Sequence, residues 1–275
     1  MNTQYKNKLP KWYTSEVTQY DTILSDDIDS LASCMVIKQA KNWNIEYFYT
    51  FDGMGATKNN KNEKVGVDIA LCNGKTFDNH VVIFTREDDF NEESINLNVA
   101  ERINRGRYSN KYCGSTLLTV WSLFDLPLPE SEEGKMILLA IDSSYKGYFS
   151  SNSEFVKANK YYLCNVLELD ELYECQKRHK AYEFKDIMKK YNLSDKITHH
   201  KGILDTTIKL EEVSKEIGLE LTLPTSTFFK YGEYETHKKE LPSNTRWSMD
   251  IKDLPDVPFS LALTFCDTVK YSCQL

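Results

Sequence analysis

Apolar runs alternate with polar, turn-forming segments along the first 145 residues of the chain. A short apolar run at Thr22–Leu24 precedes residues 31–40, in which apolar side chains recur at helical spacing. β-Branched and aromatic residues predict a strand at Ile45–Phe51, and buried strands are predicted at Val65–Leu71 and His80–Phe84. Because strand and helix signals alternate, the pattern predicts an α/β fold with a mainly parallel sheet flanked by helices.

A linker is predicted at Gly147–Ser153, where residues that favour turns are concentrated. It would separate a first domain, residues 1–148, from a smaller C-terminal α+β domain, residues 154–275. The second part is predicted to contain helices over residues 154–193, a helix at Leu210–Leu219, irregular chain over residues 222–258 and a hairpin turning at Asp267–Thr268.

Composition and charge narrow the class of protein. Of the 275 residues, 41% are hydrophobic and 12% aromatic, which allows a substantial core. The formal net charge of −7 argues against nucleic-acid binding over the whole surface, so such a contact must be local. The chain has no apolar run of about 18 residues and no apolar leader segment, so we expect no membrane span. Seven cysteines without a Cys-x-x-Cys pair favour reduced thiols and a cytoplasmic location.

Acidic residues interrupt or end the apolar runs of the predicted first domain. The side chains in these positions are Asp27, Asp29, Asp68, Asp78, His80 and Asp142. In an open α/β sheet, strand ends and the loops beyond them meet at one crevice, so we expect these side chains to come together. Clustered carboxylates repel one another unless a cation neutralises them. Two Mn²⁺ or Mg²⁺ ions accept such ligands and would activate water beside a phosphoryl group, so the six residues are predicted to be catalytic.

A simpler interpretation of the first acidic cluster is also open. Ser25 or Asp26 could cap the following helix, and the other acids could be solvated residues of its first turn. The chain would then be a structural or partner-binding subunit.

The order of these motifs resembles the DHH phosphoesterase superfamily, in particular its RecJ-like exonuclease and oligoribonuclease branch. Ser25–Ser30 resembles the first motif, Val67-Asp68 the second, and Asp78-Asn79-His80 the Asp-His-His motif that names the superfamily. Further similarities are Ile95–Asn98 to an Ile-Asn-Pro-Asn stretch, Cys113–Thr116 to a small-residue helix start, and Ala140–Asp142 to the last acidic motif. The resemblance covers residues 22–148.

The resemblance implies a DHH-like first domain that hydrolyses phosphodiesters in a nucleotide or a short single-stranded nucleic acid. The implied metal ligands are Asp27, Asp29, Asp68, His80 and Asp142. Asp78 and His80 would complete the ligand shell or position water and phosphate.

Candidate substrate-binding residues follow the predicted strands. They are Asn79, Arg86, Arg102, Arg105, Arg107, Lys111 and Ser115. Four of the six arginines of the chain are in this set, and a guanidinium group suits phosphate. The alternative is a solvated charged face paired with nearby glutamates. Likewise, Gly114–Thr116 at a helix start could offer N–H groups to a phosphate or form an ordinary cap.

The sequence also departs from the superfamily. Asn79 replaces the first histidine of the name motif, and Ile23 and Ser25 stand where a further His or Asp is often found. Asp26 could substitute for that ligand. A Gly-Gly-Gly-His substrate motif is absent from the sequence. These departures favour the alternative function, a catalytically impaired DHH-like protein that binds a nucleotide or a partner protein.

Overall fold

The predicted α/β class is confirmed in a computed structural model, which describes residues 1–85, 88–241 and 258–275. The strands are β1 (Tyr20–Leu24), β2 (Asn44–Tyr49), β3 (Gly53–Ala56), β4 (Glu63–Val67), β5 (Thr76–Phe77), β6 (Ser94–Ile95), β7 (Ile197–His200), β8 (Ile203–Thr206), β9 (Phe229–Glu240), β10 (Ser260–Phe265) and β11 (Thr268–Gln274). The α-helices are α1 (Thr3–Lys8), α2 (Ile28–Lys41), α3 (Leu97–Ala100), α4 (Thr116–Leu123), α5 (Glu132–Ala140), α6 (Ser153–Lys160), α7 (Asp170–Arg178), α8 (Ala181–Lys190) and α9 (Leu210–Ile217). Short 3₁₀ helices lie at Trp12–Thr14, Arg105–Asn110 and Ile141–Gly147, and a π-helix lies at Tyr161–Val166.

The main sheet is large, mixed and curled, with the strand order β10-β11-β9-β3-β2-β1-β4-β5-β6. The strands from β2 to β6 in this order are parallel neighbours, whereas β3, β9, β11 and β10 pair antiparallel. The expectation of a mainly parallel sheet therefore holds for only one half. The other half is antiparallel, and three of its four strands, β9, β10 and β11, lie near the C-terminus.

The first strand and the helix after it are buried almost throughout, with apolar and hydrogen-bonded polar side chains together. All five residues of β1 are buried, and so is every residue of α2 from Ile28 to Ile37. Asp27, rather than Ser25 or Asp26, is the N-cap, and its Oδ1 accepts a hydrogen bond from the Ser30 N–H at 3.2 Å. The helix predicted over residues 31–40 thus begins three residues earlier.

Two predicted strands have different bounds. The strand predicted at Val65–Leu71 ends at Val67. The strand predicted at His80–Phe84 is wrong, since the paired segment is β5, which precedes it. Val81 and Ile83 make only isolated bridges. Val81 and Phe84 of this run instead pack against the C-terminal hairpin in a small core cluster.

The C-terminal part contributes strands to the same sheet. The predicted terminal hairpin is present as β10 and β11, and β10 bridges back to Leu71 and Val81. The expectation of irregular chain over residues 222–258 is wrong at β9, a long and largely exposed strand, and residues 242–257 lie outside the described residues. Hydrogen bonds to β3 and β11 hold β9 in the sheet. It therefore forms a strand without the alternating apolar pattern by which a strand is predicted. The division into residues 1–148 and 154–275 stays a prediction, and the sheet extends across it.

Helices predicted over residues 154–193 and at Leu210–Leu219 are present as α6 to α9. None of the helices in the described parts of the chain is long and apolar enough to cross a membrane.

Candidate metal centre

Four neighbouring strands end on one line across the sheet. The last residues of β1, β4, β5 and β6 are Leu24, Val67, Phe77 and Ile95, and they pair in register. The residues that follow them are Ser25, Asp68, Asp78 and Asn96. Because the four strands are parallel, these polar residues form a row at the carboxyl edge of the sheet, where ligand sites of open α/β sheets are found.

Asp68, Asp78 and His80 form the centre of this row. Each offers a ligand atom, and these atoms all lie within 4.8 Å of one another. Asp68 has a φ of 59°, a left-handed conformation that Asp tolerates better than most residues. Its Oδ1 accepts a hydrogen bond from Thr116 Oγ1 at 2.8 Å, and its Oδ2 has no hydrogen-bond partner among the described residues. This oxygen is therefore available to a cation.

Asp78 positions His80. One oxygen of Asp78 lies 2.7 Å from His80 Nδ1, and the other accepts a hydrogen bond from Asn96 Nδ2 at 2.8 Å. This arrangement fixes the N–H on Nδ1 and leaves Nε2 free to bind a metal, as in the carboxylate–histidine pairs of known metal sites. Asp78 is 1% exposed and both of its oxygens are engaged, so it is better placed to orient the histidine than to bind an ion.

Asp78→Asn is expected to weaken Mn²⁺ binding by about 10- to 100-fold, because an amide cannot accept both hydrogen bonds. Isothermal titration with Mn²⁺ measures the change. Asp186→Asn on the exposed face of α8 is the matched control and should bind like the unaltered protein. An unchanged affinity in Asp78→Asn would contradict the positioning role.

Asp142 reaches the centre from a helix rather than a strand. The apolar run before it forms α5, and Asp142 and Ser143 follow with φ values of 49° and 56°. Two successive left-handed residues are costly, and such strain is found at functional sites. Asn79 Nδ2 donates to Asp142 Oδ2 at 3.2 Å and to the Gly114 carbonyl at 2.8 Å. Asn79 thereby connects the segment Asp78-Asn79-His80 to Asp142 through a hydrogen bond.

Asp29 lies at the N-terminus of α4. Its two oxygens accept hydrogen bonds from the backbone N–H groups of Thr116 and Leu117, at 2.9 and 2.7 Å. Ser115 is buried and caps the same helix through the Leu118 N–H, while its own N–H donates to Ser144. The Asp29 carboxylate therefore occupies the helix N-terminus at which a phosphate was one of the two expected interpretations.

The acids of the centre raise one another's pKa. Burial, followed by the charges of Asp68 and Asp142, raises the pKa of Asp29 well above its usual range. Burial, followed by the charge of Asp27, does the same for the pKa of Asp68. Burial lowers the pKa of His80, but the Asp78 carboxylate outweighs this and raises the pKa of His80 to about 9. A divalent cation would relieve the repulsion, and this donor set of carboxylates and one imidazole fits Mn²⁺ or Mg²⁺.

Asp26 and Asp27 lie beside a lysine from the C-terminal part. Lys196 Nζ is 2.9 Å from Asp26 Oδ1 and 3.5 Å from Asp27 Oδ2. This contact joins residues separated by 169 and 170 positions, and no local sequence pattern announces it.

The three predicted arginines that the structure describes, Arg102, Arg105 and Arg107, lie outside this centre. Arg102 covers the Phe90 ring at 4.2 Å, Arg107 donates to the Glu101 carbonyl, and Arg105 donates to the Cys266 carbonyl in the turn between β10 and β11. Arg86 lies outside the described residues. Arg105 thus holds the C-terminal hairpin in place, and substrate binding by the four arginines stays a prediction.

A cleft of about 570 Å³ opens beside the centre. Asn79, His80 and Asp142 line the cleft, and so does the predicted substrate-binding residue Lys111. Lys146, Phe155 and Phe265 are also among the lining residues, and Phe265 is the last residue of β10. Sequence reasoning missed Lys146 and Phe265, because they come from segments that the fold alone brings together. Asn96 was named only within the Ile95–Asn98 stretch and was not predicted to belong to the site.

The fold and the centre define an α/β protein with a carboxylate–histidine cluster at the carboxyl edge of its sheet. Comparisons with protein-family profiles, with curated proteins and with solved structures found no match to this chain.

Proposed function

We propose that the chain is a DHH-like, metal-dependent phosphodiesterase that hydrolyses a nucleotide or a short single-stranded nucleic acid. The observation that carries this proposal is the row of polar residues at the ends of four parallel strands, with Asp68, Asp78 and His80 at its centre. The row arises from the segments whose order resembles the DHH superfamily.

Each residue of the centre has a proposed role. The groups that would hold the predicted Mn²⁺ or Mg²⁺ are Asp27, Asp29, Asp68, His80 and Asp142. A bound divalent ion supplies a nucleophilic hydroxide at neutral pH and stabilises negative charge on the phosphoryl group. Asp78 orients His80, and Asn79 holds Asp142.

The cleft supports a small anionic substrate with a planar part. Its volume of about 570 Å³ lies in the range of small-molecule sites. Among the described residues, neither Lys111 nor Lys146 forms an ion pair with a carboxylate, and both line the cleft. The Lys111 ammonium lies 4.8 Å from the centre of the Tyr108 ring. Both positive charges can attract a phosphate. Phe265 is 66% exposed, which is unusual for a Phe and provides a ring on which a base can stack.

A panel of substrates tests the function. Short oligoribonucleotides, single-stranded DNA, cyclic dinucleotides and polyphosphate are incubated with the protein, with Mn²⁺ and with EDTA. We expect Mn²⁺-dependent release of products from at least one phosphodiester. Absence of hydrolysis from all four substrates would overturn the enzymatic function.

The same panel addresses the alternative function, a catalytically impaired protein that binds a nucleotide or a partner. The observation that favours it is Asn79, whose Nδ2 is committed to Gly114 and Asp142 where the superfamily has a histidine. Binding of a nucleotide without turnover would support this alternative.

Phe265→Ala is expected to raise KM for a hydrolysed nucleotide by about tenfold and to leave kcat within about twofold, because stacking on a base contributes about 1–3 kcal/mol. Steady-state kinetics with the best substrate of the panel measures both constants.

Phe229→Ala is the matched control. Phe229 is 48% exposed but lies on β9, away from the cleft, so its variant should have an unchanged KM. Equal KM values for the two variants would exclude Phe265 from the substrate site.

A further inference from the structure

Lys196 places a positive charge beside Asp26 and the predicted metal ligand Asp27. Its ammonium group contacts both Asp26 and Asp27, at 2.9 and 3.5 Å. Asp27 belongs to the predicted metal ligands, and its charge acts on both Asp29 and Asp68. The positive charge beside Asp27 therefore comes from a side chain of the protein and not from a bound metal ion.

The backbone fixes this placement. The N–H of Ile197, the first residue of β7, donates to the Asp26 carbonyl at 2.8 Å. Thr206 Oγ1, from the paired strand β8, donates to the Lys196 carbonyl at 3.1 Å. The Ile197 contact thus docks the β7–β8 hairpin on the acidic turn, and the Thr206 contact, within the hairpin, holds the backbone of Lys196. The backbone therefore places Lys196 beside Asp26 and Asp27, and its side chain is 54% exposed.

The two sides of the cluster differ in their neutralising groups. On one side, Asp68 and Asp142 each retain an oxygen without a hydrogen-bond partner among residues 1–85, 88–241 and 258–275, and His80 retains Nε2. On the other side, Asp27 uses one oxygen to cap α2 and turns the other toward Lys196. A divalent ion would find open ligand atoms at Asp68, Asp142 and His80. At Asp27 it would meet the positive charge of Lys196.

We propose that Lys196 is a built-in cation that takes the place of a second divalent ion, so that the centre holds one Mn²⁺ or Mg²⁺ ion at Asp68, Asp142 and His80. This inference rests on the proposed function and replaces the expectation of two ions. It also gives Asp26 a role, since this residue anchors the lysine at 2.9 Å.

The test is the number of Mn²⁺ ions bound per chain, measured by titration with detection of free Mn²⁺ by electron paramagnetic resonance. We expect one ion for the unaltered protein and one for Lys196→Arg. We expect two for Lys196→Met, which retains the aliphatic stem but removes the charge. The control is Lys209→Ala, which removes an exposed lysine ahead of α9 and should leave the number at one.

The outcomes separate the inference from the proposed function. Two ions in the unaltered protein, or one ion in both the unaltered protein and a folded Lys196→Met, would overturn the inference while leaving a metal-dependent enzyme. Lys196→Gln serves as a second neutral variant if circular dichroism shows that Lys196→Met is unfolded. No bound ion in any variant at millimolar Mn²⁺ would overturn the proposed function itself.

Discussion

Asp68→Ala is expected to reduce Mn²⁺-dependent hydrolysis by about 10³-fold or more, because the charge stabilisation that a metal ligand supports contributes several kcal/mol to the transition state. Asp68 is the acid nearest the middle of the row, beside Asp78 and His80, and its Oδ2 is available to an ion. Initial rates with the best substrate of the panel, at saturating Mn²⁺, measure the loss.

The fold should survive this change. Ala is less favourable than Asp at a φ of 59°, but removing one of several repelling carboxylates offsets that cost. Asp68→Asn tolerates the same backbone conformation and provides a second variant. Asp186→Ala, on the exposed face of α8, should retain full activity. Undiminished turnover in a folded Asp68→Ala would remove the basis for the metal centre.

The grouping of Asp68, Asp78 and His80 was expected from polar residues that interrupt or flank apolar runs, and the structure brings these three together. The reason differs from the expected one, since Asp68 was predicted inside a strand and His80 at the start of one, whereas all three follow strand ends. The prediction was less accurate for the strands themselves. β5 has only two residues, too few for a periodic pattern, and the longer apolar run after it packs into a separate cluster.

Roles within the centre depend on long-range contacts and could not be predicted. Asp29 accepts hydrogen bonds from residues 87 and 88 positions away in the sequence. Lys196 approaches Asp26 only because the β7–β8 hairpin docks on the acidic turn. The arginine prediction relied on composition, whereas Arg105 binds a backbone carbonyl of the hairpin. The charge of arginine and its low abundance therefore indicate candidate binding residues. The groups that each side chain contacts in the fold decide its role.

Asp29→Ala is expected to lower the free energy of unfolding by about 2–4 kcal/mol, even without metal. Asp29 is 2% exposed, and its removal leaves the N–H groups of Thr116 and Leu117 without acceptors inside the protein. Each buried unsatisfied donor costs about 1–3 kcal/mol, and relief of repulsion from Asp68 and Asp142 offsets part of the sum. Urea unfolding at pH 7 in the presence of EDTA measures the change.

Asp29→Asn separates anchoring from metal binding. It keeps one acceptor oxygen for α4, so its loss of stability should be about half that of Asp29→Ala, since one of the two donors regains a partner. If Asp29 acted only as a metal ligand, both variants would unfold like the unaltered protein in EDTA and would differ from it only with Mn²⁺ present. A loss of stability in EDTA that follows the order Ala, then Asn, would show that the carboxylate first holds α2 and α4 together. Asp29 would then secure the scaffold on which Asp68, Asp142 and His80 hold the ion.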